Sequence, residues 1–101
     1  MLIVIAEGRL RAADRERFEA MAKTMITASR QEAGCLAYWY AFDLLEPDRL
    51  RVNEIWRDKA ALEFHFTTAH LRAFSQGVAA LKPEHLAVKV YDLGAEGKMP
   101  R

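Results

Sequence analysis

Three side chains that could take part in chemistry lie close together in the middle of the chain. Glu54 and Trp56 alternate along an apolar run, and His65 follows on the next predicted element. A neutral imidazole can take a proton from a weakly acidic hydroxyl group near physiological pH and later return it. A carboxylate could orient that imidazole or hold a substrate hydroxyl, and an indole can form the wall of a pocket for a flat aromatic molecule. The residue types are therefore compatible with acid–base chemistry on a small aromatic compound.

Each of these residues also has a purely structural interpretation. His65 could be half buried and bonded to a backbone carbonyl. Glu54 is costly to bury in mid-strand unless it is paired, and Arg9 or Arg51 could pair with it across a barrel of strands. Trp56 could pack in the core or at a dimer interface. Structural uses are the commoner ones for Glu54 and Trp56, which leaves His65 as the catalytic candidate.

Motifs that would hold a metal or cofactor are missing from the sequence. There is no glycine-rich phosphate loop and no Gly-x-Ser-x-Gly turn. His65 and His70 have no third ligand at metal-binding spacing, and His70 is predicted to be neutral and exposed. Cys35 is the single cysteine and cannot form an internal disulfide. We therefore expect no metal and no cofactor.

Composition limits the class of protein. The chain has 101 residues, of which 51% are hydrophobic and 29% charged, and its formal net charge is +1. This balance is typical of one globular domain and favours neither nucleic acid nor an anionic membrane as a partner. The apolar run over residues 1–7 is short and lacks a basic flank, so it predicts neither a signal peptide nor a membrane span. We expect a cytoplasmic protein.

The hydrophobic periodicity predicts the element order β-α-β-β-α-β. Strands are expected over 2–10, 35–44, 50–56 and 86–93, and an amphipathic helix over 14–32. Asp14 is the expected N-cap of that helix and Gly34 its left-handed C-cap. Asp58 and Thr68 are expected to cap two short helices, of which Pro83 ends the second.

Right-handed connections on this element order give a ferredoxin-like α+β sandwich, with helices on one face of an antiparallel sheet. The domain would span residues 1–94, and residues 95–101 would form a flexible tail. Both faces of the predicted strands carry apolar residues, since Tyr38 and Tyr40 alternate with Trp39. One apolar face would then be exposed, which suggests an interface. A homodimer whose two sheets pack into a dimeric α+β barrel would cover it.

Several of these residues together resemble the antibiotic biosynthesis monooxygenase (ABM) family. The resemblance extends over residues 2–93. It rests on Glu32-Ala33-Gly34-Cys35, Tyr38, Glu54-Ile55-Trp56, His65, Thr68-Ala69-His70-Leu71 and Phe74.

This resemblance implies a dimeric α+β barrel and, on the quinol-monooxygenase-like side of the family, a cofactor-independent monooxygenase. Such an enzyme would act with O₂ on a small phenolic, quinol or polyketide-like aromatic, and His65 would be its base. The residues expected around the substrate are Tyr38, Asn53, Glu54, Trp56, Phe66 and Phe74.

The haem-degrading branch of the family matches less well. Its members resemble this chain over residues 6–10, but they carry Asn in place of Gly8 and Trp in place of His65. Their haem-ligating histidine falls near Ser75, and a serine cannot supply the imidazole ligand. Two other functions stay open. One is a non-catalytic ligand-binding or stress-associated protein, and the other is an isomerase of a small dicarbonyl in which His65 and Glu54 move a proton between carbons.

Overall fold

The computed structural model describes residues 1–100 and has the predicted order of elements. The strands are β1 (Leu2–Arg9), β2 (Cys35–Phe42), β3 (Arg49–Trp56) and β4 (Glu84–Asp92), and the α-helices are α1 (Arg15–Ser29), α2 (Lys59–His65) and α3 (Ala69–Leu81). All strand pairs are antiparallel, in the order β2-β3-β1-β4. The predicted ferredoxin-like α+β sandwich is confirmed. Within the described residues, no helix is both long and apolar enough to span a bilayer.

The two predicted caps in the centre of the chain are confirmed. The Asp58 carboxylate accepts a hydrogen bond from the backbone N–H of Ala61 at 2.8 Å and begins α2. The Thr68 hydroxyl accepts from the backbone N–H of Leu71 at 3.4 Å and begins α3. Each cap satisfies an amide of the first helical turn that has no partner within the helix. The two caps fix where α2 and α3 begin, and His65 lies between them as the last residue of α2.

The predicted caps of the first helix are wrong. Asp14 has helical backbone angles and makes no side-chain cap; its carboxylate accepts a hydrogen bond from Arg11 instead. The helix ends at Ser29, well before Gly34, and no described glycine has a positive φ. Gly34 has a different role, because a Cβ at this position would overlap the side chain of Ala61. The glycine allows the loop after α1 to approach α2 closely.

The strand register places the candidate residues on opposite faces of the sheet. Tyr38 on β2 pairs with Glu54 on β3, and both are buried on the face that the helices cover. Trp56 lies on the same face and is 0% exposed, so it does not face a partner sheet. Trp39 pairs with Asn53 on the opposite face, where Trp39 is 54% exposed.

The core between helices and sheet consists of two neighbouring apolar clusters. The first surrounds Trp56 and Tyr38. The second surrounds Phe18, whose ring centroid lies 6.3 Å from that of Tyr40 and 5.8 Å from that of Phe74. Full burial of a large apolar side chain contributes about 1.5–3 kcal/mol. These aromatic residues therefore hold the helices against the sheet and leave His65 at the edge of the first cluster.

Candidate functional site

His65 is the last residue of α2 and is only 1% exposed. Its ring centroid lies 4.6 Å from that of Trp56 and 5.4 Å from that of Tyr38. An imidazole enclosed by aromatic rings needs hydrogen-bond partners for both nitrogens, because an unpaired buried polar atom is costly. Both partners are present, and both are side chains rather than the backbone carbonyl of the structural interpretation.

A chain of hydrogen bonds runs through the His65 ring. Nδ1 lies 2.7 Å from Oε2 of Glu32, and Nε2 lies 3.2 Å from the hydroxyl of Tyr38. An ionised carboxylate can only accept, so Nδ1 carries the proton and donates it to Glu32. Nε2 then has a free lone pair and accepts from the Tyr38 O–H. Nε2 is therefore the basic nitrogen of the site.

Glu32 was not predicted as a site residue, and the fold brings it there through the loop after α1. Its backbone carbonyl accepts from the N–H of Cys35 at 3.0 Å, which turns the chain into β2. The carbonyl of Gly34 accepts from the N–H of Arg57 at 2.8 Å, which ties the loop to the end of β3. Arg30 donates to the carbonyl of Tyr38 at 3.0 and 2.9 Å. The loop is thus attached to both strands, with the Glu32 carboxylate directed at α2.

His70 joins the same carboxylate from α3. Its Nε2 lies 2.7 Å from Oε2 of Glu32, and its side chain is 22% exposed. The hydroxyl of Thr68 donates to the backbone carbonyl of His65 at 2.7 Å, which holds the two helices together at this point. The prediction that the two histidines lack a third ligand is wrong, since ligand atoms of Glu32, His65 and His70 all lie within 4.8 Å of one another.

Glu54 is buried on the helix face and accepts a hydrogen bond from the indole N–H of Trp56 at 3.0 Å. Burial raises the pKa of this carboxyl above its ordinary value, although the indole hydrogen bond acts in the opposite direction.

The predicted pairing of Glu54 with an arginine is wrong. Arg9 bonds Glu46 and Asp48, and Arg51 bonds Glu7 and Asp43. Both arginines lie on the face of the sheet opposite Glu54.

The structure gathers some of the predicted pocket residues and separates others. Tyr38, Glu54 and Trp56 surround His65 or lie beside its neighbours. Phe66 lies at the margin, 65% exposed, with its ring centroid 6.0 Å from that of His65. Asn53 is exposed on the opposite face of the sheet, and Phe74 packs in the second aromatic cluster.

The imidazole itself is enclosed, but Glu32 also lines a cavity at the surface. This cavity has a volume of about 290 Å³. It lies between the loop after α1, the end of β3 and α2, and its lining residues are Glu32, Ala33, Gly34, Arg57, Ala60, Ala61 and Phe64. The hydrogen-bonded cluster can therefore be approached from solvent on the side of Glu32 and His70.

Comparison with known proteins supports the resemblance seen in the sequence. The family model for antibiotic biosynthesis monooxygenase matches residues 1–77. "Probable quinol monooxygenase YgiN" of Escherichia coli K12 is 34% identical over 89 residues, which cover 77% of this chain and 85% of that protein. An uncharacterized protein of Synechocystis is 29% identical over 92 residues, or 91% of this chain. The chain spans only 63% of the length of that relative.

Solved structures agree on the architecture. A crystal structure from Deinococcus radiodurans superposes with a TM-score of 0.91 over 100% of both chains. Its sequence identity is 22%, so this likeness shows the fold and says nothing of the reaction.

Proposed function

We propose, because the chain belongs to the antibiotic biosynthesis monooxygenase family, that it is a cofactor-independent monooxygenase acting with O₂ on a small phenol, quinol or related aromatic. The observation that carries this proposal is the hydrogen-bonded chain from Glu32 through His65 to Tyr38. That chain leaves a basic imidazole nitrogen in an apolar environment, which is the group that proton abstraction from a phenolic hydroxyl requires.

Each member of the chain has a distinct role in the proposed proton transfer. Nε2 of His65 is the base, and Glu32 stabilises the imidazolium that forms when this nitrogen accepts a proton. Burial raises the pKa of Tyr38, so its side chain stays a neutral phenol. A neutral phenol can accept a proton from a substrate hydroxyl as it gives its own to His65. Tyr38 is therefore the proposed relay between substrate and base.

The reaction balances without a second reductant. Loss of the hydroxyl proton converts a quinol to an electron-rich phenolate, which transfers an electron to O₂. The resulting radicals combine to form a bond between a ring carbon and oxygen. Cleavage of the O–O bond leaves one oxygen on the ring and releases the other as water. A quinol plus O₂ thus gives a hydroxyquinone plus water, and all four electrons that reduce O₂ come from the substrate.

The enclosed position of His65 adds a requirement to this proposal. The side chains of His65 and Tyr38 are each 1% exposed. A substrate can therefore contact Tyr38 only when the packing around α2 opens. The helix α2 has 7 residues, and the exposed Phe66 follows it directly. We expect substrate to displace Phe66 and this short helix, and an aromatic ring to occupy the space beside Tyr38.

We also propose that two copies of the chain form the dimeric barrel. The helices leave one face of the sheet uncovered, and that face carries Trp39, Ile5 and Tyr91 at 54%, 44% and 50% exposure. Ile3 and Ile55 pair with each other on the same face. Exposed apolar side chains of this kind on a sheet face are the type that a second sheet covers.

The test of the proposed reaction is oxygen uptake with a panel of quinols. His65→Ala removes the base, and His65→Gln removes it while keeping a hydrogen-bonding side chain in the same space. Both variants are expected to lose about 100-fold or more in rate, the usual share of a general base. His85→Ala is the matched control, since His85 is exposed on β4. Melting temperature and light scattering check that the variants keep their fold and assembly.

The alternatives give different results in the same experiments. Unchanged uptake by folded His65→Gln refutes the role of His65. Turnover of a dicarbonyl without oxygen identifies an isomerase instead. A quinol that raises the melting temperature of the wild type but is not consumed identifies a binding protein.

A further inference from the structure

We propose that Glu32, His65 and His70 form a binding site for a divalent transition-metal ion, with Zn²⁺ as the representative ion. The site goes beyond the oxygenation proposed above and does not depend on it. Its three residues come from the loop after α1, the end of α2 and the first turn of α3. Their ligand atoms all lie within 4.8 Å of one another.

The donor set is one that Zn²⁺ prefers. Two imidazoles and one carboxylate are the protein ligands of a common class of zinc site, in which water takes the fourth position. Oε2 of Glu32 lies 2.7 Å from Nδ1 of His65 and 2.7 Å from Nε2 of His70. Ligand atoms about 2 Å from an ion in a tetrahedral site lie about 3.3 Å apart. Each of these two contacts therefore has to open by only about 0.6 Å to admit the ion.

A second observation at Glu32 points to a missing cation. Its side chain is only 6% exposed, yet Oε1 is buried and makes no hydrogen bond. A buried carboxylate oxygen without a partner is costly. Within residues 1–100, the ion pairs of Glu32 are those with His65 and His70, and no lysine or arginine neutralises it. An ion bound between the three side chains would balance the charge, and a carboxylate that bound it through both oxygens would also give Oε1 a partner.

The positions of the ligands are fixed before any ion arrives. The Thr68 hydroxyl binds the carbonyl of His65 and also caps α3, so it sets the spacing between His65 and His70. The loop that carries Glu32 is attached to β2 and β3 through backbone hydrogen bonds. An ion can reach the site from solvent, because His70 is 22% exposed and Glu32 lines a surface cavity.

A bound ion would change which nitrogen of His65 is basic. Metal on Nδ1 displaces the proton that Glu32 accepts, and the neutral ring then carries its proton on Nε2. Nε2 would donate to the oxygen of Tyr38 instead of accepting from its hydroxyl. The metal-bound form therefore cannot act as the base, and an ion at this site would inhibit the proposed oxygenation.

The test is calorimetric titration of tag-free, chelator-treated protein with ZnCl₂. The expected result for the wild type is one Zn²⁺ per chain. Loss of even an outer-shell partner of a ligand costs about 10- to 100-fold in metal affinity, so His70→Ala and Glu32→Gln are each expected to weaken binding at least about tenfold. His85→Ala should bind as the wild type does. Glu32→Gln keeps a hydrogen-bond acceptor for the histidines, and its melting temperature without metal checks that the cluster is intact.

Co²⁺ provides a second readout, because its visible absorption reports coordination by imidazole and carboxylate. The proposal is overturned if the wild type takes up no stoichiometric Zn²⁺, if His70→Ala binds as tightly as the wild type, or if His85→Ala is the variant that loses binding. The titration needs no turnover. A protein that binds Zn²⁺ but does not consume a quinol refutes only the proposed oxygenation, and a protein that consumes a quinol but does not bind Zn²⁺ refutes only the metal site.

Discussion

The hydroxyl of Tyr38 lies 3.2 Å from Nε2 of His65, and it connects the edge strand β2 to the end of α2. The Glu32 carboxylate accepts a hydrogen bond from Nδ1 of His65, so the ring proton is on Nδ1. The contact at Nε2 therefore has one direction, in which the phenol donates and the imidazole accepts. The basic nitrogen of the site is therefore directed into the core rather than toward solvent. Any proton that reaches His65 at this nitrogen has to come from Tyr38 or from a molecule that takes its place.

Replacement of Tyr38 by Phe tests that path. The variant keeps the ring that packs on Trp56 and removes the hydroxyl, so its free energy of unfolding should fall by only about 1–3 kcal/mol for the unpaired Nε2. Loss of the relay should lower quinol-dependent oxygen uptake about 100-fold. The measurement is steady-state oxygen consumption together with a urea melt. Tyr91→Phe on the outer face serves as the control. Wild-type rates in a folded Tyr38→Phe protein would exclude Tyr38 from the proton path.

The sequence predicted the fold well because its signals are local. Alternation of apolar residues, together with Asp58 and Thr68 before their helices, was sufficient to order the elements and to place His65 at a helix end. The predicted helix caps at Asp14 and Gly34 were wrong, because tertiary contacts determine what these two residues do. Arg11 takes the Asp14 carboxylate, and α2 packs against Gly34.

The site was predicted only in part, because its hydrogen bonds join residues far apart in the chain. Glu32 and His65 are separated by 33 positions, and Glu32 and His70 by 38. No periodicity or spacing rule relates a loop glutamate to histidines on two later helices. The position of Asn53 follows from the sequence alone. Asn53 and Glu54 are neighbours in one strand, and successive side chains of a strand point to opposite faces of the sheet.

The uncovered face of the sheet predicts an effect on assembly. Trp39→Glu would place a charge within the proposed interface, where an unpaired buried charge costs about 3 kcal/mol or more. The dimer dissociation constant should rise by at least roughly a hundredfold, since a symmetric dimer carries the charge twice. Light scattering after size exclusion at micromolar concentration measures this. Leu44→Glu is the control, because Leu44 is 98% exposed in the turn between β2 and β3. A wild-type monomer under these conditions would contradict the barrel.

Glu54 predicts a pH-dependent effect on stability. Burial raises its pKa in the folded protein above the ordinary value. The folded state therefore binds the proton more tightly than the unfolded state does. The favourable contribution is fully present below the unfolded pKa and is lost as pH rises through the folded pKa. Glu54→Gln cannot ionise and can still accept from the indole of Trp56. It should therefore be more stable than the wild type at neutral pH, with the difference shrinking toward about pH 4.

Urea unfolding at several pH values measures this difference. Glu63→Gln is a matched control, since the Glu63 side chain is 66% exposed and only loosely paired with Lys59. Its stability should follow that of the wild type at every pH. A Glu54→Gln difference that does not change with pH would show that packing, rather than ionisation, is responsible.

The close contact of Gly34 with α2 predicts that the packing of this loop holds Glu32 in place beside the two histidines. A Cβ at this position would overlap the side chain of Ala61 and lie 3.5 Å from its Cα, so Gly34→Ala must push the loop away from α2. Overpacking of this kind costs about 1–3 kcal/mol. Because Glu32 lies on the same loop, its contacts with the two histidines should lengthen, and both Zn²⁺ affinity and quinol turnover should fall.

Gly97→Ala is the control for that substitution, since nothing lies within 4 Å of the added carbon. The double variant Gly34→Ala/Ala61→Gly restores the space by moving the missing methyl group to the other side of the contact. It should regain Zn²⁺ affinity while remaining less stable by about 1 kcal/mol, the cost of glycine within a helix. If the double variant binds Zn²⁺ no better than Gly34→Ala alone, contact with α2 is not what holds Glu32 in place.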